Sequence, residues 1–140
     1  MKQSDQATRS RLEDLTRAEC LQLLGYGSFV GRVGFTHDSR PMILPVNYLL
    51  DGDAIVFRTA GDTVLNALAG QDVAFEVDDN RPLGHSGWSV VVQGPIQSIS
   101  DMQEIDGLER GPLRSWARRD ADHWLRISID TISGRRLPES

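Results

Sequence analysis

Between residues 29 and 59 the apolar residues fall on alternate positions, in runs separated by short polar turns. The stretch "SFVGRVGF" sets Phe29, Gly31, Val33 and Phe35 against Val30, Arg32 and Gly34; "THDSRP" follows as a turn before "MILPVNYLL". Asp51-Gly52-Asp53 then reads as a tight hairpin turn into "AIVFRT". A side-chain period of two with turns at hairpin spacing predicts three consecutive antiparallel strands.

The rest of the chain extends that pattern. Residues 1–11 are polar and read as a loose tail, with one domain over 12–140. Thr16 and Glu19 form a capping box, Leu15 and Cys20 can staple across it, and Gly25 is placed to stop the helix. A helix of about two turns is predicted from Thr63 to Ala69. "DVAFEVDD" is a further strand, ending in the polar loop "NRPLGHSG". "WSVVVQGPIQSIS" reads as a long strand in which Gly94-Pro95 marks a bulge or bend, as barrels use at corners. Asp101 and Glu104 offer another cap, with a helix over 102–109 ended by Gly111-Pro112. The last strand is "HWLRISIDTIS", with Leu125, Ile127 and Ile129 on one face and Trp124, Arg126 and Ser128 on the other. About six strands at hairpin spacing predict a small antiparallel barrel. A parallel α/β sheet is disfavoured because only "IVFRT" is followed at once by a crossover helix.

Bulk properties narrow the function classes. A chain of 140 residues with 39% hydrophobic content suits one core. A net charge of -5 argues against a general nucleic-acid binder, which needs a basic face. Cys20, the single cysteine, permits no internal disulfide; its position on the apolar side of a helical pattern reads as buried. With no signal-peptide core and no stretch long enough to span a bilayer, a cytoplasmic protein is expected. His37, His85 and His123 lack metal-ligand spacing, and no nucleophile elbow, GxGxxG or GxxxxGK[ST] pattern occurs.

Three stretches could carry chemistry. In "IVFRTAGDTVLNAL" a strand ends in Arg58 and Thr59, crosses a glycine turn, and enters a helix at Thr63. The guanidinium, the hydroxyls and the helix N-terminus would together stabilise an anion. The other reading of this corner is structural: Arg58 pairs with a carboxylate and Asp62 or Thr63 caps the helix. In "LPVNY", Pro45 removes a ladder donor and Asn47 offers an amide, which suits either a ligand lying on the strand or a protected edge. "GWSVVVQG" places Trp88 at a strand start, where it could stack a planar ligand or join the core, with Ser89 and Gln93 as polar residues in an apolar run. Trp116 and Trp124 share that ambiguity.

Taken as an ordered set, "GRVGF", "PVNYLLDGDAIVFRTA", "VAFEVDD", "GWSVVVQG" and "ISGRR" resemble the flavin-binding split-barrel family, the small proteins related to pyridoxamine 5′-phosphate oxidase. The resemblance covers roughly residues 12–136. It implies a mainly β fold, a six-stranded antiparallel split β-barrel with short flanking helices, and a homodimer with cofactor sites at its interface. FMN is the cofactor it implies first, with a deazaflavin or haem in some relatives. The phosphate role then falls on Arg58, Thr59 and Thr63, and the ring lies against Pro45, Val46 and Asn47 with Trp88 and Ser89 nearby. Relatives commonly read "RTxxGxKL"; here the lysine position is Val64 and Asp62 stands at the glycine. Losing that charge-assisted contact, worth about 1.5–3 kcal/mol, lowers the expected FMN affinity about tenfold to a hundredfold. The implied function is an FMN-dependent oxidoreductase or flavin reductase acting on an unidentified small molecule. The alternative is a non-catalytic split barrel that sequesters a flavin, deazaflavin or haem, or has lost cofactor binding. Arg135-Arg136 do not restore the basic C-terminal motif of true pyridoxamine-phosphate oxidases, and no residue reads as a catalytic acid or base.

Overall fold

The computed structural model describes residues 12–26, 30–59, 64–81, 86–111 and 123–137. The expected tail over 1–11, Phe29, the 60–63 turn with Asp62 and Thr63, and Trp116 lie outside the described residues. Eight strands and two α-helices follow in chain order. They are β1 (Glu13–Asp14), α1 (Arg17–Tyr26), β2 (Val30–His37), β3 (Arg40–Asp51), β4 (Ala54–Thr59), β5 (Asp72–Arg81), β6 (Ser86–Ser98), α2 (Met102–Glu109), β7 (His123–Ser128) and β8 (Thr131–Leu137), with a 3₁₀ turn over Val64–Leu68 between β4 and β5.

The hairpins arise from the predicted turns. β2 and β3 are joined by Asp38 and Ser39, both at positive φ, and β3 and β4 by Gly52-Asp53, with Gly52 at φ +61°. Two-residue loops with positive φ match the twist of the strands they join. The capping box forms as read: Thr16 N–H donates to Glu19 Oε1 at 2.9 Å and Glu19 N–H donates to Thr16 Oγ1 at 3.2 Å. Gly25 does not stop α1, which runs one residue further to Tyr26.

Strand order β6-β5-β2-β3-β4-β7 closes on itself through β6–β7 pairing, giving a six-stranded antiparallel barrel; β8 and β1 extend from β6 as two extra strands. Two long strands turn the corners. β6 pairs with β8 over residues 87–93 and with β7 over 96–98, changing partner at Gly94-Pro95. The ladder to β5 stays in register through both residues, so this is a bend without an inserted residue. Only glycine fits there, because a Cβ on Gly94 would lie 1.8 Å from the Ser128 carbonyl oxygen. β3 turns the other corner, pairing with β2 through Asn47 and with β4 from Tyr48 onward.

Two expectations need correction. The helix predicted from Thr63 to Ala69 is a five-residue 3₁₀ turn whose Leu65 and Leu68 plug the barrel, so burial of two leucines, not helix propensity, shapes it. The single last strand is two: the chain breaks at Ile129-Asp130, where Asp130 N–H donates to the Gln93 carbonyl, and β8 pairs with a different part of β6.

The barrel interior holds Val33, Ile55, Phe57, Phe75, Val77, Val90, Val92, Leu125 and Ile127, all essentially without exposure, and α1 caps it with Cys20 and Leu24. A second, smaller apolar cluster lies outside the barrel wall, where Leu108 and Ile105 of α2 pack on Val56, Ile99 and Trp124. That outer cluster sets the conformation of the candidate site.

Candidate functional site

The β3–β4 ladder ends at Tyr48 opposite Phe57. The next residues, Asn47 on β3 and Arg58 on β4, begin two segments that part: residues 40–47 continue against β2, while Arg58 and Thr59 continue against β7. The edge of β3 that faced β4 therefore has no strand partner beyond Tyr48 among the described residues. Since Tyr48 and Phe57 point into the core, alternation puts Asn47 and Arg58 on the outer face, with Pro45 two residues further along it. Val30, opposite Asn47, and Arg32, opposite Pro45, flank them on β2. An unpaired strand edge, an apolar floor at Val30 and Pro45, an amide and a guanidinium can hold a planar polar ring that carries an anionic tail.

The candidates from the sequence divide by face. Pro45, Asn47, Arg58 and Ser89 share outward parity. Val46 and Val64 pack against the barrel core. So does Trp88, where it sits across the ladder from Asp79 and Arg136. Ser89 lies three strand spacings from Asn47, about 14 Å around the sheet. It borders a concavity of about 350 Å³ with Trp88, Asp78, Asn80 and Arg135. Within one chain Pro45 and Asn47 lie just past the last β3–β4 pair on β3 and Arg58 just past it on β4, with the guanidinium turned toward β7 and α2, while Trp88 and Ser89 lie apart from them. Thr59 is half-buried opposite His123. Gln93 accepts from Thr131 Oγ1 at 3.0 Å and borders a groove of about 650 Å³ at the far end of the same outer face.

Arg58 is held by residues that the strand pattern did not reveal. Its side chain is only 14% exposed, its guanidinium carbon lies 5.0 Å from the centroid of Trp124, and Nη2 is 3.6 Å from Glu109 Oε1. Trp124 is opposite Arg58 in the β4–β7 register, so pairing β4 with the last strand would have found it. Glu109 comes from α2 and leaves no such signal. A second charge cluster lies beside Pro45: Arg32 Nη1 is 3.2 Å from Glu76 and 3.8 Å from Asp78. Burial, and then the nearby Asp78 carboxyl, raise the Glu76 pKa despite Arg32. Cys20 is fully buried and its thiol pKa is pushed up by desolvation, which suits packing and not nucleophilic chemistry. No described helix is long and apolar enough to cross a membrane.

Comparison with known proteins gives a consistent family. The family model described as pyridoxamine 5′-phosphate oxidase matches residues 16–136. The uncharacterized protein Rv0080 of Mycobacterium tuberculosis is 34% identical, over 96% of this chain and 90% of its own. Among solved structures, the FAD binding protein from Mycobacterium smegmatis is 29% identical with a TM-score of 0.71, covering 91% of this chain and 99% of that one. A conserved protein of unknown function from Corynebacterium diphtheriae is 29% identical with a TM-score of 0.76, over the same shares of the two chains.

Proposed function

Because the chain belongs to the pyridoxamine 5′-phosphate oxidase family, we propose that it binds a flavin nucleotide where β3 and β4 part and serves as a flavin-dependent oxidoreductase. The observation that carries this reading is the end of the β3–β4 ladder at Tyr48 and Phe57, which leaves Asn47 and Arg58 as the first residues past the last pair, at the mouth of the gap where the two strands part. The FAD bound by the Mycobacterium smegmatis neighbour supports a flavin in general. FMN, the form expected from the sequence, is the specific cofactor proposed.

The residues present fit such a group in part. Val30 and Pro45 offer an apolar surface to the ring, Asn47 an amide to its polar edge, and Arg58 a positive charge to the phosphate, with Thr59 next to it on β4. Val64, turned to the core, contributes no charge. A bound flavin supplies the two-electron redox chemistry. This chain's own residues bind, orient and shield it. The exposed Val30 and Ile43 give the outer face of β2–β3 an apolar character that a second copy would cover, which supports a homodimer with the site at its interface.

A second reading, a carrier that holds the flavin without turnover, is favoured by the Glu109 carboxylate already at Arg58. One experiment separates them. Purified protein is denatured, the released ligand is weighed by mass spectrometry, and the reconstituted protein is assayed for oxidation of reduced nicotinamide. FMN or FAD with turnover supports the oxidoreductase, either flavin without turnover the carrier, and no flavin from either native or reconstituted protein rejects both.

A further inference from the structure

Arg58 is committed on two sides. Trp124, 1% exposed, lies under its guanidinium, and Glu109 Oε1 stands 3.6 Å from Nη2, inside ion-pair range and beyond hydrogen-bond length. Glu109 is the last residue of α2, where the carbonyl end of the helix adds further negative character. The helix cannot easily carry it away: Asp101 caps the N-terminus, Leu108 and Ile105 are sunk in the outer cluster, and Glu104 pairs with Arg126. Val64, the next described residue after Thr59, is apolar and packs against the core. The charge that Arg58 offers an incoming anion is thus already balanced by a carboxylate fixed on a docked helix.

The consequence depends on how a ligand distributes its charge. A phosphate monoester concentrates nearly two negative charges on one phosphorus at neutral pH. A diphosphate diester spreads one charge on each of two. We infer that Glu109 is a specificity-determining residue of this corner, discriminating by repulsion against a terminal phosphate monoester such as that of FMN and in favour of a diphosphate diester such as that of FAD. The inference rests on the flavin reading of the site and shifts its preferred cofactor. Such selection works through the disfavoured ligand.

Glu109→Gln tests it, with FMN, FAD and riboflavin titrated by quenching of flavin fluorescence and inorganic phosphate titrated by calorimetry. The substitution should raise FMN affinity about threefold to tenfold and FAD affinity less, with riboflavin unchanged; the FMN gain should shrink in high salt. Flavin binding to the wild type with no selective FMN gain in the variant overturns the role of Glu109 while leaving the flavin site standing. A gain in phosphate affinity with no flavin bound by either protein retires the flavin reading and supports the charge filter. No gain for any anion overturns it.

Discussion

Tyr48 shows how a single polar atom is accommodated in the barrel. The side chain is buried, its ring meets Phe75 edge-on at 5.0 Å, and its hydroxyl donates to the Leu24 carbonyl at 2.8 Å. Burial pushes its pKa up to about 12 from the ordinary 10. The sign follows: the unfolded chain ionises first, so this contribution is intact below pH 10 and is lost as pH rises toward about 12. Tyr48→Phe should cost about 1 kcal/mol at neutral pH by urea unfolding and flatten that alkaline limb. Gly31 illustrates a different constraint. A Cβ there would lie 2.2 Å from the Phe75 ring, so Gly31→Ala should destabilise by about 1–3 kcal/mol in the same assay. Alternation placed Gly31 on the inner face, but the need for glycine comes from a ring on β5, more than forty positions away, and no local pattern carries that. Arg58 was legible as a charge at a strand end. Its partner Glu109 was not, because a helix docks it from across the outer wall.

Among the elements, those governed by neighbouring residues were read most closely. The Thr16–Glu19 box, the Asp101 cap and the Asp51-Gly52-Asp53 turn all depend on groups within three positions of each other. Asp101→Ala should cost about 1 kcal/mol in thermal or urea unfolding, since Asp101 accepts the Glu104 N–H at the start of α2. The break between β7 and β8 was not legible. Leu125, Ile127 and Ile129 keep a period of two straight through it, and the event that divides the strands is a change of position along β6. "TVLNALA" suits an α-helix and a 3₁₀ turn alike, and barrel closure selects the tighter form.

At the scale of the molecule, β3 divides its length between β2 and β4, and β6 divides one edge between β8 and β7 while pairing with β5 along the other; the two bends make a closed barrel with an open seam at one of them. Gly94 secures the closed corner: Gly94→Ala should cost several kcal/mol or abolish folding, because the clash is with backbone that cannot rotate away. The barrel class was readable from hairpin spacing, whereas the seam at Tyr48–Phe57 follows from where β3 leaves β4 for β2, a register property. The resemblance already assigns "PVNY" and "VFRT" to one site, and the ladder supplies its physical basis by pairing Tyr48 with Phe57 at the point where the two strands part. That juxtaposition is the core of the functional account, and titrating wild-type protein and Arg58→Ala with FMN and FAD, followed by visible absorbance, tests it most directly. The wild type should bind one flavin per chain and the variant about tenfold to a hundredfold more weakly, the loss of one charge-assisted contact. Equal affinity in the two proteins, or a wild type that stays colourless in excess of both flavins, would contradict it.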